Sequence, residues 1–256
     1  MGKRIGKQFL DADSSPLLSI ITVVFNGVDR LEETILSIAP HLNKEVEYII
    51  VDGGSKDGTL DVIRQHEGHI DYWISEPDHG IYDAINKGIT ASHGHFFYVL
   101  NVGDKLLELP WAQLNDAVQR DADVALFKVL LSDGRTIEST IDYRIRFGNT
   151  IHHQGAFYSR KLNVQYQLDY KVFSDFNTNQ KLFQQKKKFI AYDKVISLHA
   201  LDGVSNERKY RQEYYRVIRN NFGIFWMLTG ILYIKQGELR RAIVNKFRPK
   251  KIADNA

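Results

Sequence analysis

The chain has 256 residues, 43% of them hydrophobic and 25% charged, a globular composition with room for one large domain and an appendage. It contains no cysteine, which excludes disulfides and thiolate metal sites and fits a reducing compartment. A net charge of +3 conceals an asymmetry: residues 207–251 carry 12 Lys/Arg against 3 Asp/Glu, so the remainder is acidic.

The N-terminal MGKRIGKQFLDADSS is basic and lacks an apolar core of signal-peptide length. No run reaches the roughly 18–20 apolar residues of a spanning helix. The chain therefore reads as cytoplasmic, either soluble or peripheral on the inner face of the membrane. LLSIITVVF is a continuous apolar, β-branched run, as expected of a strand covered on both faces. A helix follows near Arg30–Ala39. VEYIIVD is a second buried strand ending at Asp52, GGSKDG a turn, TLDVIRQHE a short helix and IDYWIS a third strand. After the loop EPDHG, the spacing of Ile81, Ala84, Ile85, Gly88 and Ile89 predicts an amphipathic helix over Ile81–Ser92. HFFYVLN is the fourth strand. This alternation predicts βαβ units and a mostly parallel sheet with helices on both faces.

Beyond Leu107 the rhythm loosens. Pro110–Arg120 reads as helix and DVALFKVLL as strand, with GRTIEST pairing to it. Tyr143–Tyr170 shows little periodicity, and a long irregular stretch in a compact domain is often functional. SDFNTNQKLFQQ reads as a helix with Ser174 and Asp175 as N-cap candidates, and KFIAYDKVISLH as strand. Asn206–Asn220 is polar and helical. FGIFWMLTGILYI is apolar for 13 residues and is followed by KQGELRRAIVNKFRPKK. Apolar and aromatic residues followed by Lys/Arg suit a helix lying in an anionic membrane interface; the alternative is a helix packed on the sheet with solvated basic residues.

Three strands end in polar residues: Phe25-Asn26, Asp52, and Asn101 to Asp104 in NVGD. In a parallel sheet these ends share one edge, where ligands bind. Asp52 could accept from a base or ribose, and Asp104 could ligate a hard cation that bridges to phosphate. The glycine fingerprints of dinucleotide folds and P-loops are absent.

SIITVVFNG, EYIIVDGGSKDGT, YWISEPDHGIYDAINKGI and FYVLNVGD, in this order over about Leu18–Leu106, resemble the N-terminal half of family 2 glycosyltransferases of the GT-A fold. The resemblance implies inverting transfer of one sugar from a nucleotide-sugar, UDP by family frequency, to an acceptor hydroxyl. For members of this short layout it implies lipid-linked acceptors in bacterial surface polysaccharide synthesis. It assigns donor contacts to Phe25, Asn26, Asp52, Gly54, Asp78, Asn86, Asn101 and His153. Asp104 stands as the metal ligand for Mg²⁺ or Mn²⁺, although Asn101 and Gly103 depart from the family's DxD. Asp175 stands as the general base, the acidic pair of the family being reduced here to Ser174-Asp175. Asp83 is left between a site role and an i,i+4 ion pair with Lys87. The implied division is a tail over 1–16, a catalytic domain over 17–205 (donor half 17–107, acceptor half 108–205), and a basic aromatic extension over 206–256 that meets an anionic membrane. Competing readings are a nucleotidyltransferase, disfavoured by the glycine-poor FNGVDRL, and a catalytically inactive nucleotide- or membrane-binding module. Nucleic acid is not expected as a partner, because the basic cluster sits beside an apolar aromatic run.

Overall fold

The computed structural model describes residues 2–4, 15–201 and 208–247. Most of the 1–16 tail and the last basic residues of the extension lie outside these.

Ten strands form one sheet: β1 (Gly2–Arg4), β2 (Leu18–Val24), β3 (Val46–Asp52), β4 (Tyr72–Ser75), β5 (Phe96–Val99), β6 (Lys105–Leu106), β7 (Val124–Leu131), β8 (Thr136–Ile137), β9 (Ala156–Ser159) and β10 (Phe189–His199). Their order is β1-β4-β3-β2-β5-β9-β7-β10-β6, with β8 beside β7. β2 to β5 pair in parallel, and every residue of β2 and β3 is buried, as continuous apolar runs require. β9 enters antiparallel between β5 and β7. It lies inside the stretch that showed no periodicity, because AFYS is too short to alternate visibly. Cross-strand aromatic pairs hold it: Tyr98 stacks on Phe157 with centroids 4.4 Å apart, and Phe97 on Tyr158 at 5.4 Å.

The helices are α1 (Val28–Ile38), α2 (Thr59–Gln65), α3 (Ile81–Ala91), α4 (Trp111–Gln119), α5 (Ser174–Gln184), α6 (Arg211–Phe222) and α7 (Ile224–Phe247). Alternate β2 residues feed two cores. Leu18, Ile20 and Val24 pack with Leu31 and Ile35 of α1 and Ile63 of α2; Ile21 and Val23 pack with Tyr82, Ile85 and Ile89 of α3. Gly88 lets α3 sit on the sheet: a Cβ there would stand 2.4 Å from Cγ2 of Ile21. Gly88→Val is therefore expected to cost about 2 kcal/mol or more through overpacking. Urea unfolding reads this out, and an unchanged midpoint would contradict the close approach.

A third cluster joins α5 to the C-terminal helices. Phe173 and Phe176 pack with Tyr214, Val217 and Ile218 of α6. Trp226, Met227 and Ile234 of α7 pack against the same cluster, so the apolar run is partly covered by α5 and α6 rather than by the sheet. α7 leaves Ile224, Phe225, Leu228 and Leu232 exposed, and among the described residues no helix is long and apolar enough to cross a membrane.

Candidate active site

A cleft of about 500 Å³ opens at the carboxyl ends of β2 and β5, with walls from α3, the 149–153 segment, the start of α5 and the end of β10. Phe25, Asp78, Asn101, Asp104, His153 and Asp175 all line it. Of the strand-end residues, Phe25, Asn101 and Asp104 reach this cavity, and Asp78, His153 and Asp175 join them from loops and α5.

The NVGD turn is built for close fit. Gly103 takes φ +90°, which a side chain would strain, and Arg30 packs over it. Thr34 of α1 fastens the turn: its hydroxyl donates to the Asp104 carbonyl at 2.9 Å and accepts from the Gly103 N–H at 3.0 Å. Asp104 is buried. Its Oδ1 accepts from the Ala200 N–H at 2.9 Å and lies 2.9 Å from Nδ1 of His199; its Oδ2 is hydrogen-bonded by Gln154 Nε2. The turn therefore presents one carboxylate, and the partner at its side is a histidine from the end of β10.

Asp104 and His199 are the side chains that could hold a divalent cation. They offer a carboxylate oxygen and an imidazole nitrogen on the cleft wall, and Asn101 Oδ1 and Gln154 Oε1 are buried without partners beside them. This donor set fits a hard cation whose remaining ligands are diphosphate oxygens and water. Among the described residues no three His, Cys, Asp or Glu side chains form a ready cage, so the ligand must complete the sphere.

Asp175 sits in the first turn of α5 and lines the cleft. Ser174 does not cap the helix; its hydroxyl is buried without a partner, and the residue before the helix is Phe173. Capping therefore does not explain this pair. Burial pushes the Asp175 carboxyl above its ordinary range, outweighing the Tyr82 hydroxyl and the first-turn N–H groups that favour the anion. Tyr82 Oη lies 2.9 Å from Asp175 Oδ1 and 2.5 Å from the Val172 carbonyl. Its single proton can go to either, so Tyr82 donates to an ionised Asp175 and accepts from a protonated one. His153 Nε2 lies 3.0 Å from Asn101 Nδ2, and its Nδ1 lies 3.9 Å from Asp175 Oδ2. Burial lowers His153 to about 4 and His152 to about 3, so both rings are neutral near pH 7.

The loop ahead of α5 is tied down from α6. Glu213 accepts from the N–H groups of Lys171, Val172 and Phe173 at 2.8–2.9 Å. All three residues line the cleft. Sequence reasoning missed Glu213, His199, Arg30 and Thr34. Only His199 carried a signal, as a polar residue ending an apolar strand run.

Four expected donor contacts are placed differently. Asp52 is fully buried and away from the cleft lining; Ser55 and Ser75 hydroxyls and the Ser55 N–H occupy its oxygens, so it fastens the ends of β3 and β4. Asn26 is exposed at φ +49°, and its Oδ1 accepts from the Lys56 N–H. Gly54 takes φ +83° against Pro77, which is a turn requirement. Asn86 clasps the Tyr166 backbone in both directions at 2.8 Å, which holds the cleft wall rather than facing the cavity. Asp83 is 3.4 Å from Lys87 and accepts from the His79 N–H at 3.0 Å, the ion-pair reading. Gln154 is fully buried and serves Asp104.

Comparison with known proteins adds the following. The family model described as glycosyl transferase family 2 matches residues 19–219. An uncharacterized glycosyltransferase of Mycobacterium tuberculosis is 39% identical over 93 residues, 36% of each chain, so that match spans about a third of the relative's length. The PGL/p-HBAD biosynthesis glycosyltransferase of the same organism is 28% identical over 206 residues, 75% of this chain and 80% of the relative. Among solved structures, Staphylococcus aureus TarS in complex with UDP superposes with a TM-score of 0.63 at 17% identity, covering 80% of this chain and 64% of that one. Glucosyl-3-phosphoglycerate synthase of M. tuberculosis, in complex with Mn²⁺ and UDP, gives 0.59 at 16% identity, covering 83% and 82%. These two likenesses support the GT-A fold.

Proposed function

Because the chain belongs to glycosyl transferase family 2, we propose that it moves one sugar from a nucleotide-sugar, a UDP-sugar first, to an acceptor hydroxyl with inversion. The observation that carries this reading is a single cleft holding the Asp104–His199 pair on the donor side and a buried carboxylate of raised pKa on the acceptor side. Phe25 and Asp78 flank the donor end. Asp104 and His199 would hold a divalent cation, which when bound neutralises charge on the departing diphosphate. Asp175 takes the proton from the acceptor hydroxyl as its oxygen bonds to the anomeric carbon and the bond to the diphosphate oxygen breaks. Tyr82 then turns its proton to the Val172 carbonyl and accepts from the newly protonated Asp175.

The acceptor we propose is a polyprenyl-diphosphate-linked saccharide of a bacterial surface polysaccharide. The exposed apolar residues of α7, the +9 charge surplus of residues 207–251, and similarity to a relative named as a PGL/p-HBAD biosynthesis glycosyltransferase support this reading and peripheral membrane attachment. The test is incubation with UDP-sugars and a lipid extract, followed by NMR of the product's anomeric proton. An inverted configuration supports the proposal; retention, or hydrolysis alone, contradicts it.

Tyr82→Phe probes the proton step. Removing a hydrogen bond to the anion raises the Asp175 pKa further, so the acid limb of the kcat profile moves to higher pH, with kcat about tenfold lower. A pH–rate profile with an unmoved limb would remove Tyr82 from the relay.

A further inference from the structure

A second cavity, of about 580 Å³, lies away from the catalytic cleft, where the end of α5 meets the α6–α7 elbow. Its lining is mixed in a particular way. Arg146, Lys186 and Lys187 supply three cations; Phe183, Phe189, Phe222 and Trp226 supply aromatic walls. Among the described residues none of the three cations has a carboxylate within ion-pair distance. Lys87, Lys105, Lys128, Lys161 and Lys194 elsewhere on the surface are each paired with a carboxylate, whereas these three cations converge on one cavity. The Arg146 guanidinium carbon lies 5.1 Å from the Trp226 ring centroid and 6.0 Å from that of Phe183, and its Nε is buried with no hydrogen-bond partner. Ring faces orient a guanidinium and leave its in-plane donors for an anion. Lys186 adopts φ +56°, the left-handed turn that ends the α5 segment.

The surroundings say what kind of anion fits. Phe225 packs edge-on against Trp226, with centroids 5.4 Å apart, and is 68% exposed. Ile224, Leu228 and Leu232 on the same helix are each more than half exposed. A cationic notch whose wall residue Trp226 carries the exposed Phe225, on a helix with further exposed apolar residues, is complementary to a molecule with a phosphate head and an apolar body.

We infer that this pocket binds the headgroup phosphate of an anionic phospholipid, with Ile224, Phe225, Leu228 and Leu232 entering the interface beside it. The inference rests on the membrane-surface reading above and sharpens it from a charged extension to a defined site. It assigns the contact to Arg146, Lys186 and Lys187 rather than to the basic residues of 207–251.

The experiment is co-sedimentation of the full chain with vesicles of phosphatidylglycerol mixed with phosphatidylcholine, against vesicles of phosphatidylcholine alone. Three proteins are compared: wild type, the triple variant Arg146→Gln/Lys186→Gln/Lys187→Gln, and a charge-matched control, Lys44→Gln/Lys56→Gln/Arg64→Gln, altered at exposed positions elsewhere. Melting curves confirm that each is folded, and Phe225→Ser provides a second, uncharged perturbation of the same site. The expected result is wild-type binding to the anionic vesicles only. The pocket variant should lose on the order of a hundredfold in affinity, while the control stays within a few-fold of wild type. Phe225→Ser should also weaken binding. Equal losses in the pocket variant and the control would reduce the effect to net charge and overturn the site. Undiminished binding by the pocket variant would overturn it as well, leaving membrane attachment itself intact. Failure of wild type to bind anionic vesicles would remove the membrane reading and this site with it. Inorganic phosphate is the remaining arm: if it stabilises wild type and not the pocket variant while vesicles do neither, the site takes free phosphate and the lipid assignment is wrong.

Discussion

Asp175→Asn is expected to lower kcat by about 10² to 10⁴-fold while nucleotide binding persists. The amide matches the carboxyl in size and still accepts from Tyr82, so the change removes the proton acceptor and little else. Stability gives a second readout. Burial raises the folded-state pKa of Asp175 above its unfolded value, so its stability contribution is fully present below the unfolded pKa and is lost as pH rises through the folded one. Near neutral pH the ionised group opposes folding, and Asn removes that opposition. The variant should melt at the wild-type temperature or above it, and the difference should vanish in acid. A parallel fall in activity and melting temperature would instead make Asp175 a structural residue.

Asp104→Ala should lower kcat/KM by at least about a hundredfold, through loss of cation-assisted departure of the diphosphate. The substitution also strands buried donors. The Ala200 N–H, Gln154 Nε2 and His199 all turn toward this carboxylate, and leaving the backbone N–H and the amide without an acceptor costs about 1–3 kcal/mol each. A loss of stability is therefore expected alongside the loss of activity. Asp104→Asn separates the two: it fills the same space and retains an acceptor oxygen, so most of the stability should return while affinity for a divalent cation does not. His199→Gln should mimic the cation defect with less structural effect. Calorimetric titration with Mn²⁺ in the presence of a nucleoside diphosphate measures this, and full cation affinity in Asp104→Asn would take the NVGD turn out of the donor site.

The N-terminal half was legible because its signals are local. The runs in β2 and β3 are apolar throughout, and a strand buried on both faces needs that; their polar ends then fall on one edge. The same locality says nothing of the partners that hold Asp52 and Asn86. Both occupy motif positions, yet Ser55, Ser75 and the Tyr166 backbone take up their hydrogen-bonding capacity, and those partners are brought in by tertiary structure. β9 was illegible for the opposite reason. Its four residues are specified by aromatic neighbours on β5, not by an alternation of their own. Glu213 is one polar residue on a polar helix; only the packing of Tyr214, Val217 and Ile218 against α5 turns it toward the 171–173 amides. The Ser174-Asp175 pair shows the limit of capping rules: it reads as an N-cap, whereas burial under Tyr82 places the acid in a cleft.

The central claim is that the strand-edge cleft binds a nucleotide-sugar. Isothermal titration of the full chain with UDP, GDP and dTDP, each with Mn²⁺ and with EDTA, tests it most directly. The account predicts binding of one nucleoside diphosphate, UDP first, that is strengthened by Mn²⁺ and loses that strengthening in Asp104→Asn. Absence of binding to all three, with and without metal, would contradict it.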